Sequence, residues 1–207
     1  LIIVTIKLID LIRIQSFTES AALPYLSSLA VLRISVFKEF PYLYEGTLEY
    51  EMQYLQTFFN APKSIIVIAF DGDKVVGAST GLPLAYETTN LQVPWQKLGF
   101  DVEHIFYFSE SVLLQPYRGQ GIGKHFFAAR EAWAVALKKF QYITFCAVVR
   151  PFDHVKKPVN YQHLDSFWQQ RGFKKKEHCI AQMSWQDLDK TFTTAKPMQF
   201  WWKEIGV

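Results

Sequence analysis

Arg118, Gly119, Gly121, Gly123 and Lys124 fall within seven residues of one another, in the stretch QPYRGQGIGKHFF (115–127), and an apolar run follows at once. Glycines leave the backbone without Cβ atoms, so an anion can approach its N–H groups closely. A helix starting there adds orphan N–H donors and the positive end of its dipole. These residue types suit the holding of a phosphate. Just upstream, Glu110 stands in the otherwise apolar run FYFSESVLL (106–114). A carboxylate there is costly to bury unless it meets a cavity, water or a cation. Desolvation would lift it toward the range of a working base.

Three nucleotide patterns compete for the glycine stretch. A P-loop would place Gly at 118 and Ser or Thr at 125, where the chain has Arg118 and His125. A dinucleotide fingerprint would need Gly at 124, which is Lys, and an acidic residue ending a second strand. The third pattern, Arg/Gln-x-x-Gly-x-Gly/Ala, is filled by Arg118, Gly121 and Gly123.

The elements that must position these residues follow from periodicity. SLAVLRISVFKEF puts Leu29, Leu32, Arg33, Val36 and Phe37 at helical spacing, and Pro41 stops the run. EGTLEYEMQYLQTFFN reads as a second amphipathic helix, with Leu48, Met52, Leu55 and Phe59 on one side and Thr47 at its start. SIIVIAF, the turn DGDK and VVGASTGL read as a hairpin. The segment 83–104 exceeds an ordinary loop and is either functional or partly helical. HIFYFSESVLL is the next strand, and the glycines lead into the helix KHFFAAREAWAVALKKF. YITFCAVV is a strand, YQHLDSFWQQRGF a short helix ended by Gly172, and two short strands lie near KKKEHCI and AQMSW. KPMQFWWK, in a tail of about 186–207, reads as an aromatic anchor on the domain, with an exposed dimerisation patch as the second reading. This order predicts an α/β or α+β mixed sheet with helices packed on it.

With these elements in view, the chain resembles the GNAT superfamily of N-acetyltransferases. LLQPYRGQGIGKHFF is similar to that family's strand end, Arg-Gly-x-Gly-x-Gly turn and helix. FWQQRGF is similar to its late helix with an aromatic residue before Gly-Phe. The likeness runs from about residue 11 to 185. It implies a GNAT-like acyl-CoA fold: one domain built on a twisted, mostly antiparallel sheet. It also implies acetyl-CoA as co-substrate, with the pyrophosphate on the N–H groups of Gly119, Gln120, Gly121, Ile122, Gly123 and Lys124, beside Arg118. The pantetheine arm would lie along the strand near Val112, Leu113 and Leu114, and strand 142–149 would splay away to make room.

Amine acetylation needs a neutral amine, a polarised thioester carbonyl and a proton for the leaving thiolate. Glu110 is the expected base, with Glu103 and His104 as weaker alternatives. Trp168 stands where many relatives in the superfamily carry Tyr, and an indole cannot donate a proton as a phenol does. Tyr161 and Tyr107 are the substitutes, or solvent supplies the proton. Trp168 is then expected against the CoA arm or in the core. Tyr42, Tyr44, Trp95, Arg150, Asp153 and His154 lie in segments expected to shape the acceptor site.

Composition sets the remaining bounds. A chain of 207 residues, half of them hydrophobic, suits one domain with a sizeable core. A net charge of +3 is below that of a dedicated nucleic-acid binder. Cys146 and Cys179 are far apart, so no disulfide framework is expected and a cytoplasmic setting is favoured. The His and Cys residues lack metal spacing, so no metal is expected. The opening run LIIVTIKLIDLIRI is broken by Lys7, Asp10 and Arg13 and is expected to be a buried strand, not a membrane span. The expected partners are acetyl-CoA and an amine acceptor, without nucleic acid or membrane, on a monomer or homodimer. A non-catalytic acyl-CoA-binding or sensing module is the competing reading.

Overall fold

SIIVIAF carries no polar side chain between Ile65 and Phe70 because helices cover both of its faces. In the computed structural model, which describes residues 12–206, every residue from Ile65 to Phe70 is buried. This strand, β2 (Ile65–Asp71), turns at Gly72 (φ 57°) into β3 (Lys74–Pro83). β1 (Ile12–Thr18) pairs on its outer side. The opening run expected as a buried strand lies largely outside the described residues.

β4 (Ile105–Leu113) adds to β3, and the sheet continues through β5 (Tyr142–Val148), β6 (Lys174–Gln186) and β7 (Thr193–Glu204) in the order β1-β2-β3-β4-β5-β7-β6. Every neighbouring pair is antiparallel except β4–β5. The mixed, mostly antiparallel sheet agrees with the sequence reading. The C-terminal part differs from it. The two short strands are one, β6. The aromatic tail is β7, lodged between β5 and β6, with Phe200 and Trp201 buried.

On one face lie α1 (Leu26–Phe37), α2 (Leu48–Asn60) and α3 (Thr89–Lys97), which enclose Leu29, Leu32, Leu55, Phe58 and Trp95. α4 (Ile122–Ala136) and the short α5 (Asp165–Gln169) cover the other face with Phe126, Phe127, Phe167 and Trp168. Thr47 accepts from the Tyr50 N–H at the start of α2 (3.3 Å), as its position predicts. The buried face of α2 is turned from the expected one: Leu48 is exposed and Glu51 is buried. The open segment 83–104 is partly helical. Its Trp95 is core, stacked edge-on against Phe100 and Phe200.

Candidate active site

Beyond the turn that follows β4, Gly119 (φ 78°) and Gly121 (φ 84°) take left-handed conformations that a side chain disfavours. A Cβ at either position would meet no atom within 4 Å, so open space lies where a ligand must approach. Gly121 precedes the first residue of α4, and the N–H groups of Ile122 and Gly123 are first-turn donors without an intrahelical acceptor. Gly123 needs no left-handed backbone; a Cβ there would touch the Phe167 ring at 3.5 Å. Gln120 Nε2 donates to Pro116 O (2.9 Å) and Tyr117 Oη to Asp71 (2.7 Å), which ties the loop to the β2–β3 hairpin. A diphosphate fits these donors, because the chain supplies bare N–H groups, open space and the exposed Lys124 together.

Arg118 stands beside this loop and is not solvated freely. Its Nη1 and Nη2 donate to both oxygens of Glu39 at 2.7 and 3.0 Å, and its Nε to Leu113 O at 2.9 Å. Glu39 therefore competes with an incoming anion for the guanidinium. Glu39→Gln is expected to tighten CoA binding by roughly two- to fivefold in low salt, with the gain shrinking as salt is added, because both partners are partly exposed. Calorimetric titration at two ionic strengths reads this directly; weaker CoA binding would mean that the pair preorganises Arg118 instead.

β4 and β5 pair only from Ile105–Tyr142 to Tyr107–Thr144 and then part. Beyond that point the free edge of β4 faces a cleft. The Leu114 N–H goes to Val76 O (3.0 Å), so Leu114 and Val112 turn their backbone groups toward β3. Ser111 and the Leu113 N–H face the free edge, while the Leu113 carbonyl is taken by Arg118 Nε. Of Val112, Leu113 and Leu114, expected along the arm, Leu113 is the one whose N–H faces that edge.

β4 carries a bulge beside this cleft. Thr80 pairs with Glu110 and Gly81 with Phe108, leaving Ser109 extra. The bulge puts the side chains of both Ser109 and Glu110 on the α1/α2 face. Glu110 does not stand alone there. It is ion-paired with Arg33 Nη1 of α1, whose Nε meets Glu51 of α2. The Arg33 guanidinium lies over the Tyr54 ring at 4.4 Å. Tyr54 Oη lies 3.2 Å from Ser109 Oγ, and Ser109 donates to Glu87 Oε1 (3.3 Å). Glu87 also accepts from the Thr88 N–H (3.2 Å). Burial raises its pKa from 4.5 to about 6 against the opposing pull of these bonds and of Arg33. Gln92 of α3 donates to Glu87 O and fixes the turn. Behind the bulge, Arg130 of α4 donates to Thr80 O, Glu110 O and Ser111 Oγ at 2.8–3.1 Å. Burial lowers its pKa to about 9, so it remains a cation at neutral pH.

Other predicted residues scatter around this cluster. Tyr107 Oη lies 3.0 Å from Cys146 Sγ where β4 and β5 part, and burial raises its pKa well above the ordinary value. Tyr161 is half-buried, edge-on to Phe40 at 4.7 Å; burial and then Asp165 raise its pKa. Tyr42 packs on Phe37 (4.7 Å), and burial, then the neighbouring Glu51, raises the pKa of Tyr44. His154 lies 5.6 Å from Phe40, and Asp153 is exposed. Arg150 grips both oxygens of Asp187 at 2.8 Å and donates to Pro41 O and Tyr42 O, so it braces the Tyr42 segment. Burial opposes the Asp187 charge, but bonds from Arg150 and Lys196 hold its carboxyl below the ordinary value. Glu103 pairs with Lys139 and His104 with Asp101, before the start of β4.

Trp168 stacks edge-on with Phe145 and Trp201, each at 5.0 Å, on the α4 face. Its position is one of packing, so Trp168→Phe is expected to keep acetyl transfer within about threefold of the parent. Trp168→Ala should cost about 2–3 kcal/mol in urea unfolding, less than for a fully buried aromatic. A large activity loss in the Phe variant, with CoA affinity unchanged, would assign the indole N–H a role.

Sequence reasoning missed Arg33, Glu51, Tyr54, Glu87 and Thr80. For Arg33 a signal existed: a cation on the apolar stripe of α1.

The family model for GNAT acetyltransferases matches residues 32–156. Among solved structures, an acetyltransferase from Streptococcus agalactiae is 19% identical, over 95% of this chain and 99% of that one, with a TM-score of 0.59. An acetyltransferase from Thermus thermophilus is 16% identical, over 94% and 97%, at 0.53. An aminoglycoside 6'-N-acetyltransferase complexed with coenzyme A is 16% identical, over 92% and 96%, at 0.56. At these identities the likeness is one of fold. No curated protein matches the chain.

Proposed function

The chain belongs to the GNAT family of acetyltransferases, and from that premise we propose that it moves the acetyl group of acetyl-CoA to a primary amine of a small molecule or protein. The transfer is by direct attack while both substrates are bound. One observation carries the reading: β4 runs from a bulge flanked by buried carboxylates to a glycine turn suited to a diphosphate. Acetyl-CoA supplies a thioester whose carbonyl carbon accepts the amine.

The residues divide the work as follows. Gly119 to Lys124 and Arg118 hold the diphosphate, and the free edge of β4 at Ser111 and Leu113 aligns the arm. Glu87 takes the proton from the acceptor nitrogen. Of the two carboxylates at the bulge it has no cation bonded to it among the described residues, whereas Glu110 is engaged by Arg33. Glu110 keeps Arg33 and the bulge in place. Tyr161, at the splayed end of β5, gives a proton to the leaving thiolate. Tyr107 is committed to Cys146.

Free thiol released from acetyl-CoA, followed over an amine panel, tests the reading. The expected result is release that depends on the amine, with Glu110→Gln keeping the acidic limb of the pH–rate profile. CoA binding with no release over any amine would favour a non-catalytic acyl-CoA-binding module. If Glu110→Gln erased that limb, Glu110 would be the base.

A further inference from the structure

Among the described residues, the α1/α2 side of the β4 bulge holds more negative than positive charge. Three carboxylates, Glu51, Glu87 and Glu110, gather around one guanidinium, Arg33. Arg130 adds a second cation from the opposite face, but its described hydrogen bonds go to carbonyls and hydroxyls, and the balance still falls one short. A buried negative charge without a partner is costly, and either a proton or a cation relieves it. A second observation points the same way. Thr80 is 1% exposed, and its Oγ1 has no hydrogen-bond partner among the described residues. Thr80 pairs directly with Glu110, so both side chains leave the sheet on one face. An orphan hydroxyl there can accept from a ligand N–H. Aromatic rings stand nearby: Tyr54 lies under Arg33, and both Tyr54 and Tyr42 are half-buried.

Resting on the acetyltransferase reading, we infer that the acceptor is a cationic alkylamine, bound as its ammonium ion by Thr80 and the carboxylates of Glu51, Glu87 and Glu110, with no carboxylate of its own near the amine. The ammonium gives one proton to Glu87. Its nitrogen lone pair then forms the C–N bond to the thioester carbonyl carbon, and the C–S bond breaks on collapse. The sulfur leaves with the bonding pair and takes a proton, the amide nitrogen sheds its second proton, and Glu87 returns its own to solvent. An acceptor with a carboxylate beside the amine would bring a like charge into the cluster and be rejected.

The full chain with CoA is titrated calorimetrically with an n-alkylammonium and with the alcohol of the same length. Acetyl-CoA turnover is measured with a diamine and with the α-amino acid of equal chain length, whose carboxylate stands beside its amine. The expected results are at least tenfold tighter binding of the ammonium than of the alcohol, and at least tenfold higher kcat/KM for the diamine than for the amino acid. Thr80→Val should weaken ammonium binding roughly ten- to hundredfold, the scale of a hydrogen bond to a charged group, with CoA affinity unchanged. Turnover that favours the amino acid, equal binding of ammonium and alcohol, or no effect of Thr80→Val would overturn the cation site while acetyl transfer stood. Selective ammonium binding without thiol release would keep the site and sink the transferase reading.

Discussion

Glu87→Gln is expected to lower kcat by roughly 10²-fold or more at neutral pH, the scale of losing a general base. The parent should show an acidic limb in kcat/KM near pH 6, since burial raises Glu87 to about 6. The Gln variant should lack that limb. Gln keeps the shape and can still accept from Ser109, so CoA affinity should hardly move. A variant with the parent's rate and limb would leave Glu87 a structural carboxylate.

The same substitution should raise stability, and the sign follows from linkage. The unfolded chain releases the Glu87 proton near 4.5, whereas the folded protein holds it to about 6. Between those values the folded state binds more protons, so stability falls as pH rises through the window and stays lower above it. The cost is about 2 kcal/mol. Glu87→Gln removes that cost. Urea unfolding should show the variant ahead of the parent at pH 7.5, with the gap closing toward pH 4.5. A gain in stability joined to a loss of rate separates a strained functional carboxylate from a merely packed one.

Why Glu87 escaped the sequence while the glycine turn did not is a matter of range. The turn is local: Arg118, Gly121 and Gly123 are spaced within one loop, and the left-handed backbone at Gly121 is a demand that its residue type states openly. Glu110 is visible because a carboxylate breaks an apolar strand. Its partner is not, because Arg33 lies in a helix far upstream, and only the fold brings the two together. Glu87 stands in an irregular turn with no periodicity, and its buried state depends on α3, which the loop-like composition of 83–104 conceals. The Ser109 bulge defeats strict alternation, since two neighbouring residues share a face. At the C-terminus a proline disfavours a central strand, yet β7 accommodates Pro197 opposite Gln182 between β5 and β6.

Gly121→Asp is expected to weaken CoA binding by 10²-fold or more while the fold survives. Two effects act together. A carboxylate at the entrance of α4 repels a diphosphate held on the first-turn N–H groups, and its side chain fills space that the ligand needs. The fold should tolerate the change because a Cβ at 121 meets nothing within 4 Å, and Asp accepts a left-handed backbone better than most residues, at a cost of about 1 kcal/mol. Gly121→Ala separates the effects: it carries at least the backbone strain of Asp but no charge, so its loss of affinity should be clearly smaller. Thermal unfolding checks that both variants remain folded, and calorimetry with CoA reads the affinities. Equal losses in Ala and Asp would assign the position to backbone shape alone. Unchanged affinity in the Asp variant would place the diphosphate elsewhere, and the reading of this turn as the CoA cradle would fall with it.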